Sequence, residues 1–235
     1  KNIRALMENR VSGIILSGVG DQTCLRLQDY LGKTPMVFLG DNLPEGMVSQ
    51  ITVNNYEGTR MATRYLISLG HRDLMFLGGR GSSVTHRRRH QGFLDAASKA
   101  ADVHYDIFTM LSGSRIEDGY HTGMTYFTRC IEENRPIATG ILCISDHFAL
   151  GVMQAAVETG IDIPGQISLI GFDDVSFASL PKIQLTTISQ PKEKICSVAM
   201  QMLEELIHAD RHIPISCKTI QPVLVRRDTC GPPHR

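Results

Sequence analysis

Four short apolar runs in this chain are each followed at once by polar side chains that can bind. Behind Met36-Val-Phe-Leu39 come Gly40 and Asp41. Behind Leu74-Met-Phe-Leu77 comes the loop Gly78 to Thr85, then the basic run His86-Arg-Arg-Arg-His90. Behind Ile141-Leu-Cys-Ile144 come Ser145 and Asp146, and behind Ile167-Ser-Leu-Ile170 comes Gly171-Phe-Asp-Asp174. Hydroxyls, carboxylates and guanidinium groups gathered this way are hydrogen-bonding chemistry, suited to orienting a polar small molecule. Each group also has a plainer reading. Ser145 or Asp146 can cap the helix that follows, which does not exclude ligand contact. Asp173 and Asp174 can hold a turn, and the arginines can be a solvated helix face. A carboxylate metal site at Asp41, Asp146 and Asp173 is a further alternative.

Catalytic templates fit poorly. Gly79-Arg-Gly81 opens like a dinucleotide loop, but Val84 stands where the last glycine belongs. There is no phosphate-binding GxxxxGK[ST], no GxSxG elbow, and the nine histidines are scattered without an HExxH pair. No cofactor and no resident metal are expected.

The elements that must position these groups alternate along the chain. Lys1 to Arg10 reads as the middle of a helix, followed by a short strand at Gly13 to Leu16. A helix is predicted over about 22–32 and the strand Met36–Leu39 comes next. A helix over 55–69 stops at Gly70, and the strand Leu74–Leu77 follows. Then come a helix over about 86–101, a strand near 104–110 and a helix over about 117–134. The strand Ile141–Ile144 precedes a helix at 147–159, and the strand Ile167–Ile170 precedes a helix over about 192–208. A last extended stretch runs near 219–226. Short apolar strands alternating with helices imply a doubly wound α/β fold, with parallel sheets covered on both faces. In such sheets ligands bind beyond the carboxyl ends of the strands, where the polar groups stand. Helical spacing puts Arg89, Gly92, Phe93, Ala96, Ala97 and Ala100 on one inward stripe, so Arg89 points toward the sheet end. Arg87 and Arg88 fall off that stripe, toward solvent.

Composition narrows the function. The 235 residues suit one large α/β unit or two lobes, and 42% hydrophobic residues are enough for a buried core. Lys plus Arg and Asp plus Glu number 24 each, so the segment as a whole has no net basic charge with which to grip nucleic acid. Six cysteines without a CxxC pair read as reduced thiols of a cytoplasmic protein, with Cys143 in a strand and Cys196 in a helix. No apolar run reaches the roughly 18 residues of a membrane-spanning helix. The tail after Asp228 is expected to fray.

An ordered set of motifs now stands out. Tyr56-Glu-Gly-Thr-Arg60 is followed by Gly70-His71, and Arg89-His-Gln-Gly-Phe93 by Ser145-Asp-His-Phe-Ala149 with Gly151. Gly171-Phe-Asp-Asp174 and Leu185-Thr-Thr-Ile188 with Gln190-Pro191 complete it. In this order, across nearly the whole chain, the motifs resemble the effector-binding domain of the lac-repressor/galactose-repressor family of bacterial transcription regulators. The resemblance implies a periplasmic-binding-protein-like fold of two lobes, with the chain crossing between them near Val53–Asn55, Ser189–Pro191 and Gln221–Val223. The N-terminal lobe is then 1–53 plus 191–221, the C-terminal lobe 54–190 plus 222–230, and 231–235 a tail. It also implies that Arg89 and Asp173 contact the effector, that the polar loop residue is Thr85, that Ser145 replaces an asparagine, and that Gln190 is the hinge glutamine. Gly40 stands where the family often has an aspartate, with Asp41 beside it as a substitute. Ser114 stands at a stacking aromatic position. The family's domain opens with a strand before the residue numbered Lys1, so the first lobe is expected to lack a central strand, and the helix-turn-helix headpiece also precedes that point.

The function so implied is that of an effector-sensing and dimerisation domain, binding a sugar or sugar derivative in the cleft between lobes. Its partners would be the effector, a second copy of itself, and operator DNA through the headpiece; no membrane is involved. A secreted solute-binding protein for sugar uptake shares the fold and is the alternative. A small hydrolase is a third reading, and it lacks a recognisable nucleophile and base.

Overall fold

The computed structural model describes residues 5–6, 8–18, 34–44, 46–79, 83–110, 113–209 and 213–233. The helix expected over 22–32, half of the opening helix, Cys24 and the loop residues 80–82 lie outside them. The chain divides into two compact units, 1–54 with 191–221 and 55–190 with 222–235.

The first unit is built on four parallel strands in the order β1-β2-β3-β9: β1 Ile14–Ser17, β2 Met36–Leu39, β3 Ser49–Val53 and β9 Cys217–Ile220. Strand β3 escapes the apolar-run pattern because Ser49, Gln50 and Thr52 interrupt it. All five of its residues are nonetheless buried, since the strand is interior, between β2 and β9. Its hydroxyls are matched locally: Ser49 Oγ accepts from Ser216 N at 3.2 Å, and Thr52 Oγ1 lies 3.2 Å from Thr219 Oγ1. Helix α5, Lys192–Ile207, closes one face, packing Ala199, Met202 and Leu203 on Val37, Ile51 and Ile220. Cys196 lies on this helix, as its helical pattern suggested, and is exposed.

The second unit holds a six-stranded sheet in the order β10-β8-β7-β6-β4-β5. Its strands are β4 Asp73–Gly79, β5 His104–Met110, β6 Gly140–Cys143, β7 Ser168–Asp173, β8 Thr186–Ser189 and β10 Val223–Val225. Four described helices cover it: α1 Asn55–Ser68, α2 Val84–Ala97, α3 Ile116–Glu132 and α4 Asp146–Glu158. Its core is apolar and deep, with Leu66, Phe76, Leu77, Phe93, Phe127, Phe148 and Phe172 buried. The doubly wound α/β fold is as expected, with one correction. The extended stretch near 219–226 is two strands in two sheets: β9 runs parallel to β3, and β10 runs antiparallel to β8. Pro222, which has no N–H for a ladder, separates them.

The tail also departs from expectation. Thr229 Oγ1 donates to Leu169 O at 2.7 Å and accepts from Thr186 N at 2.9 Å. Gly231 N donates to Ser168 Oγ at 3.0 Å. His71 Nε2 lies 2.9 Å from both Ser168 Oγ and Gly231 O. Residues 229–231 are therefore strapped across the amino ends of β7 and β8, because backbone groups laid on a buried sheet end must be paired.

Candidate functional site

In the second unit the parallel strands run in the order β5, β4, β6, β7, β8, so strand placement reverses between β4 and β6. The two crossovers leave β4 and β6 in opposite directions and open a crevice at their carboxyl ends, the usual place for a ligand in an open α/β sheet. Helix α2 starts from the β4 side of this point, capped by Ser83, whose Oγ accepts from His86 N at 3.2 Å. It buries Arg89, Gly92, Phe93, Ala96 and Ala97 and exposes Arg87 and Arg88, as helical spacing requires.

Arg89 is only 5% exposed, and its charge is matched on every side. Its Nε donates to Asn55 Oδ1 at 2.9 Å, Nη1 to Ile144 O at 2.5 Å, and Nη2 to Asp173 Oδ1 at 3.0 Å. The guanidinium carbon lies 3.6 Å from the centroid of the Phe172 ring, close enough for the ring's negative face to attract it. A planar, permanently charged fork suits this place better than a lysine would. The approach of Asn55 depends on Gly92. A Cβ there would stand 2.2 Å from Tyr56 O, so only glycine lets α2 come this near the start of α1.

Asp173 ends β7 with φ at 118°, and Asp174 follows at 50°. Both are backbone conformations that side chains other than glycine rarely adopt, and they persist where neighbours over-determine them. The neighbours are present. Asp173 Oδ1 accepts from Arg89 and also from Gln190 Nε2 at 2.6 Å, while Asp174 Oδ1 accepts from Arg227 Nη2 at 2.7 Å. The Asp173 side chain remains a quarter exposed, and Oδ2 takes part in none of these bonds.

Asp146 is the correction among the sequence-predicted contacts. It is fully buried, with Oδ1 accepting from Thr187 Oγ1 at 2.5 Å and Oδ2 from Val175 N at 2.9 Å. Burial pushes its carboxyl above the usual carboxylate range, against the two hydrogen bonds, which pull it down. Gly171 makes room for it, since a Cβ there would lie 2.2 Å from Asp146 Oδ1. Asp146 thus braces β8 and the loop after β7 rather than facing a ligand. Ser145 caps α4: its Oγ accepts from Phe148 N at 3.3 Å and donates to Ser114 O at 3.2 Å. Thr85 lies half-buried in the first turn of α2. Asp41, 8% exposed behind β2, belongs to the first unit.

The carboxyl ends of the second unit's strands therefore bring Arg89, Asp173 and Gln190 into one network. Asn55 and Phe172 complete it, through the bond to Arg89 Nε and the ring beneath the guanidinium, and sequence reasoning did not single them out. Asn55 gave no signal because its role depends on two helices meeting. Phe172 stood inside a recognised motif but looked like core. With Asp146 spent on Thr187 and Val175, the carboxylate metal site loses a member; among the described residues no three His, Cys, Asp or Glu side chains are placed to hold an ion. Chemically, the network offers a carboxylate oxygen outside its internal bonds beside a guanidinium with more N–H groups than the three bonds it makes. That is an acceptor next to donors, the pattern that adjacent hydroxyls on a ligand match. No described helix is long and apolar enough to cross a membrane.

Residues 63–230 match the family described as a periplasmic binding protein-like domain. Over 233 residues the chain is 34% identical to the HTH-type transcriptional repressor PurR of Yersinia pestis, covering 98% of this chain and 67% of that protein. Among solved structures, a LacI transcriptional regulator from a Rhodococcus species superposes with a TM-score of 0.84 at 26% identity, over 98% of this chain and 82% of that one. A periplasmic binding protein/LacI transcriptional regulator from Alkaliphilus metalliredigens, complexed with D-xylulofuranose, gives 0.78 at 26% identity, over 97% and 81%.

Proposed function

The chain belongs to the lac-repressor/galactose-repressor family of transcription regulators, and from that premise we propose that its second unit reads a small, hydroxyl-rich effector through Arg89 and Asp173. The observation that carries this reading is the unspent chemistry of the pair: Asp173 Oδ2 outside its internal bonds, beside an Arg89 fork that is not exhausted. Thr85 and Gln190 would sit around the same ligand, and Ser145 at its margin. A sugar or sugar derivative fits these groups better than a flat aromatic base. The Phe172 ring, which has Arg89 on one face, is buried, so it is not offered for stacking. The sugar bound by the Alkaliphilus relative supports the same class.

A regulator of this kind works by differential affinity. An effector that prefers one arrangement of the protein shifts the population toward it by that preference and no more. Operator DNA would be engaged by a helix-turn-helix headpiece that these residues do not include, in a homodimer whose two headpieces meet paired half-sites, in the cytoplasm. The neutral charge balance of this chain accords with leaving DNA contact to the headpiece.

The test is a thermal-shift panel of pentoses, hexoses, sugar phosphates and nucleobases. A ligand at a hundred times its Kd stabilises the folded state by about 2.7 kcal/mol. A sugar that gives such a shift supports the reading. A shift with a nucleobase and none with any sugar overturns the ligand class.

A further inference from the structure

The second unit has a pocket at the end of its sheet opposite the Arg89–Asp173 network. Its volume is about 170 Å³, and it lies where the first residues of β4 and β5 meet the last turns of α3 and the loop 135–138. Residues two apart on a strand share a face, and the register sets Asp73 beside His104 and Met75 beside Asp106. One face of the two strands therefore brings two carboxylates and an imidazole to the pocket. Arg135 lines it from the loop. Tyr126 and Met75, both buried, give it an apolar wall. That wall is fixed, because Tyr126 Oη accepts from Ala138 N at 3.0 Å.

The charges on the rim are not spent on each other. Among the described residues the ion-pair partner of Arg135 is Glu133, held through Nη1 at 3.2 Å, and neither Asp73 nor Asp106. Nε and Nη2 stay outside that bond. Asp106 Oδ1 accepts from Ile107 N at 2.7 Å, and Oδ2 takes no part in it. A simple anion in this pocket would meet two carboxylates, and a simple cation would meet a guanidinium. A metal ion would need ligands that converge, and the described residues hold no such group. Opposite charges that face one pocket without closing on each other suit a molecule that carries both. We propose that this pocket binds a small zwitterion of the α-amino-acid type. Its ammonium group lies on Asp73 and Asp106, its carboxylate takes the free N–H groups of Arg135, and an apolar side chain rests on Tyr126 and Met75. Both polar contacts are charge-assisted, and an arginine fork matches a carboxylate.

The pocket shares no residue with the effector network, so either reading can fail alone. The experiment is a titration of the isotope-labelled full chain with L-leucine at low ionic strength, followed by amide chemical shifts. The amides of Ala138, on Tyr126 Oη, and Ile107, on Asp106 Oδ1, report the pocket. The amide of Val175, on Asp146 Oδ2, is the reference at the other end of the sheet. Ala138 and Ile107 should shift and saturate with a Kd of about 1 mM, while Val175 stays still. Arg135→Gln and Asp106→Asn should each raise that Kd roughly tenfold, read at Ala138. Isoamylamine and 4-methylpentanoate, which each keep one of leucine's two charges, should bind roughly tenfold more weakly. Glu133→Gln, which releases Arg135, should bind leucine at least as tightly as wild type. Arg135, Asp106 and Glu133 are exposed, so folding is not at stake in these variants. Several results overturn the proposal: no saturable shift at Ala138, a shift that Arg135→Gln and Asp106→Asn leave unchanged, or either half-molecule binding as tightly as leucine. So does an equal loss in Glu133→Gln and Asp106→Asn, which would reveal a general response to charge.

Discussion

Asp146 and Asp173 look alike in the sequence: each closely follows an apolar strand, and each lies at the same end of one sheet. The structure gives them opposite work. Asp146 is sealed and spends both oxygens on Thr187 and on the backbone of Val175. Asp173 is a quarter exposed and spends one oxygen on Arg89 and Gln190. Position at a strand end is therefore not enough to mark a ligand contact; what marks it is an oxygen that the fold has not already used.

Replacement of each aspartate by asparagine breaks the comparison most directly. Asparagine has one acceptor oxygen and one donor amide. At position 146 the amide must face either the Thr187 hydroxyl or the Val175 N–H, so a buried donor is left unpaired. Asp146→Asn is expected to lower unfolding free energy by about 2–3 kcal/mol, read as a shift of the urea midpoint at constant m. At position 173 the amide oxygen can keep both of its donors, and the NH2 takes the place of Oδ2. Asp173→Asn should change stability by less than about 1 kcal/mol while weakening effector binding roughly tenfold. Equal stability losses at the two positions would erase the distinction.

Gly92→Ala sharpens the same contrast between structure and contact. Its Cβ would meet Tyr56 O, and overpacking of this kind costs about 1–3 kcal/mol. Because the strain falls between α1 and α2, it should also loosen Asn55 from Arg89. A denaturation curve that matches wild type would show that the helices have slack the structure does not display.

The pH dependence is smaller and has a definite sign. Burial pushes both His71 and His90 below the usual histidine range; at His71 the bond to Gly231 O opposes the shift. The unfolded chain therefore takes up protons first as pH falls through about 6.5. Stability from these two groups is complete well above that value, declines below it, and levels off once the folded state is protonated too. Urea midpoints should fall between pH 7.5 and 5.5, and His71→Gln should flatten part of the slope. A midpoint that rises over this interval would contradict the assignment.

Much of the fold was legible because its strands are apolar and its helices periodic. The inward stripe of α2 placed Arg89 correctly and its exposed neighbours as well. What escaped were places where polar residues are buried by partners distant in sequence. Strand β3 hides hydroxyls that are matched 167 positions away, and Asn55 finds Arg89 34 positions on. The terminal strap was missed for the same reason: Thr229 and Gly231 look like a loose end until Ser168 and His71 are brought to them. Periodicity reports which face is buried; it does not report which polar atoms meet there.

The most direct measurement of the central claim is calorimetric titration of Arg89→Ala and Arg88→Ala with the effector found by the ligand panel. Loss of the charged hydrogen bonds at Arg89 should weaken binding roughly ten- to a hundredfold, while Arg88→Ala, on the exposed face, should leave affinity and stability within about 0.5 kcal/mol of wild type. Unchanged affinity in a folded Arg89→Ala protein, or equal losses in both variants, would contradict the assignment of Arg89 as the residue that reads the effector.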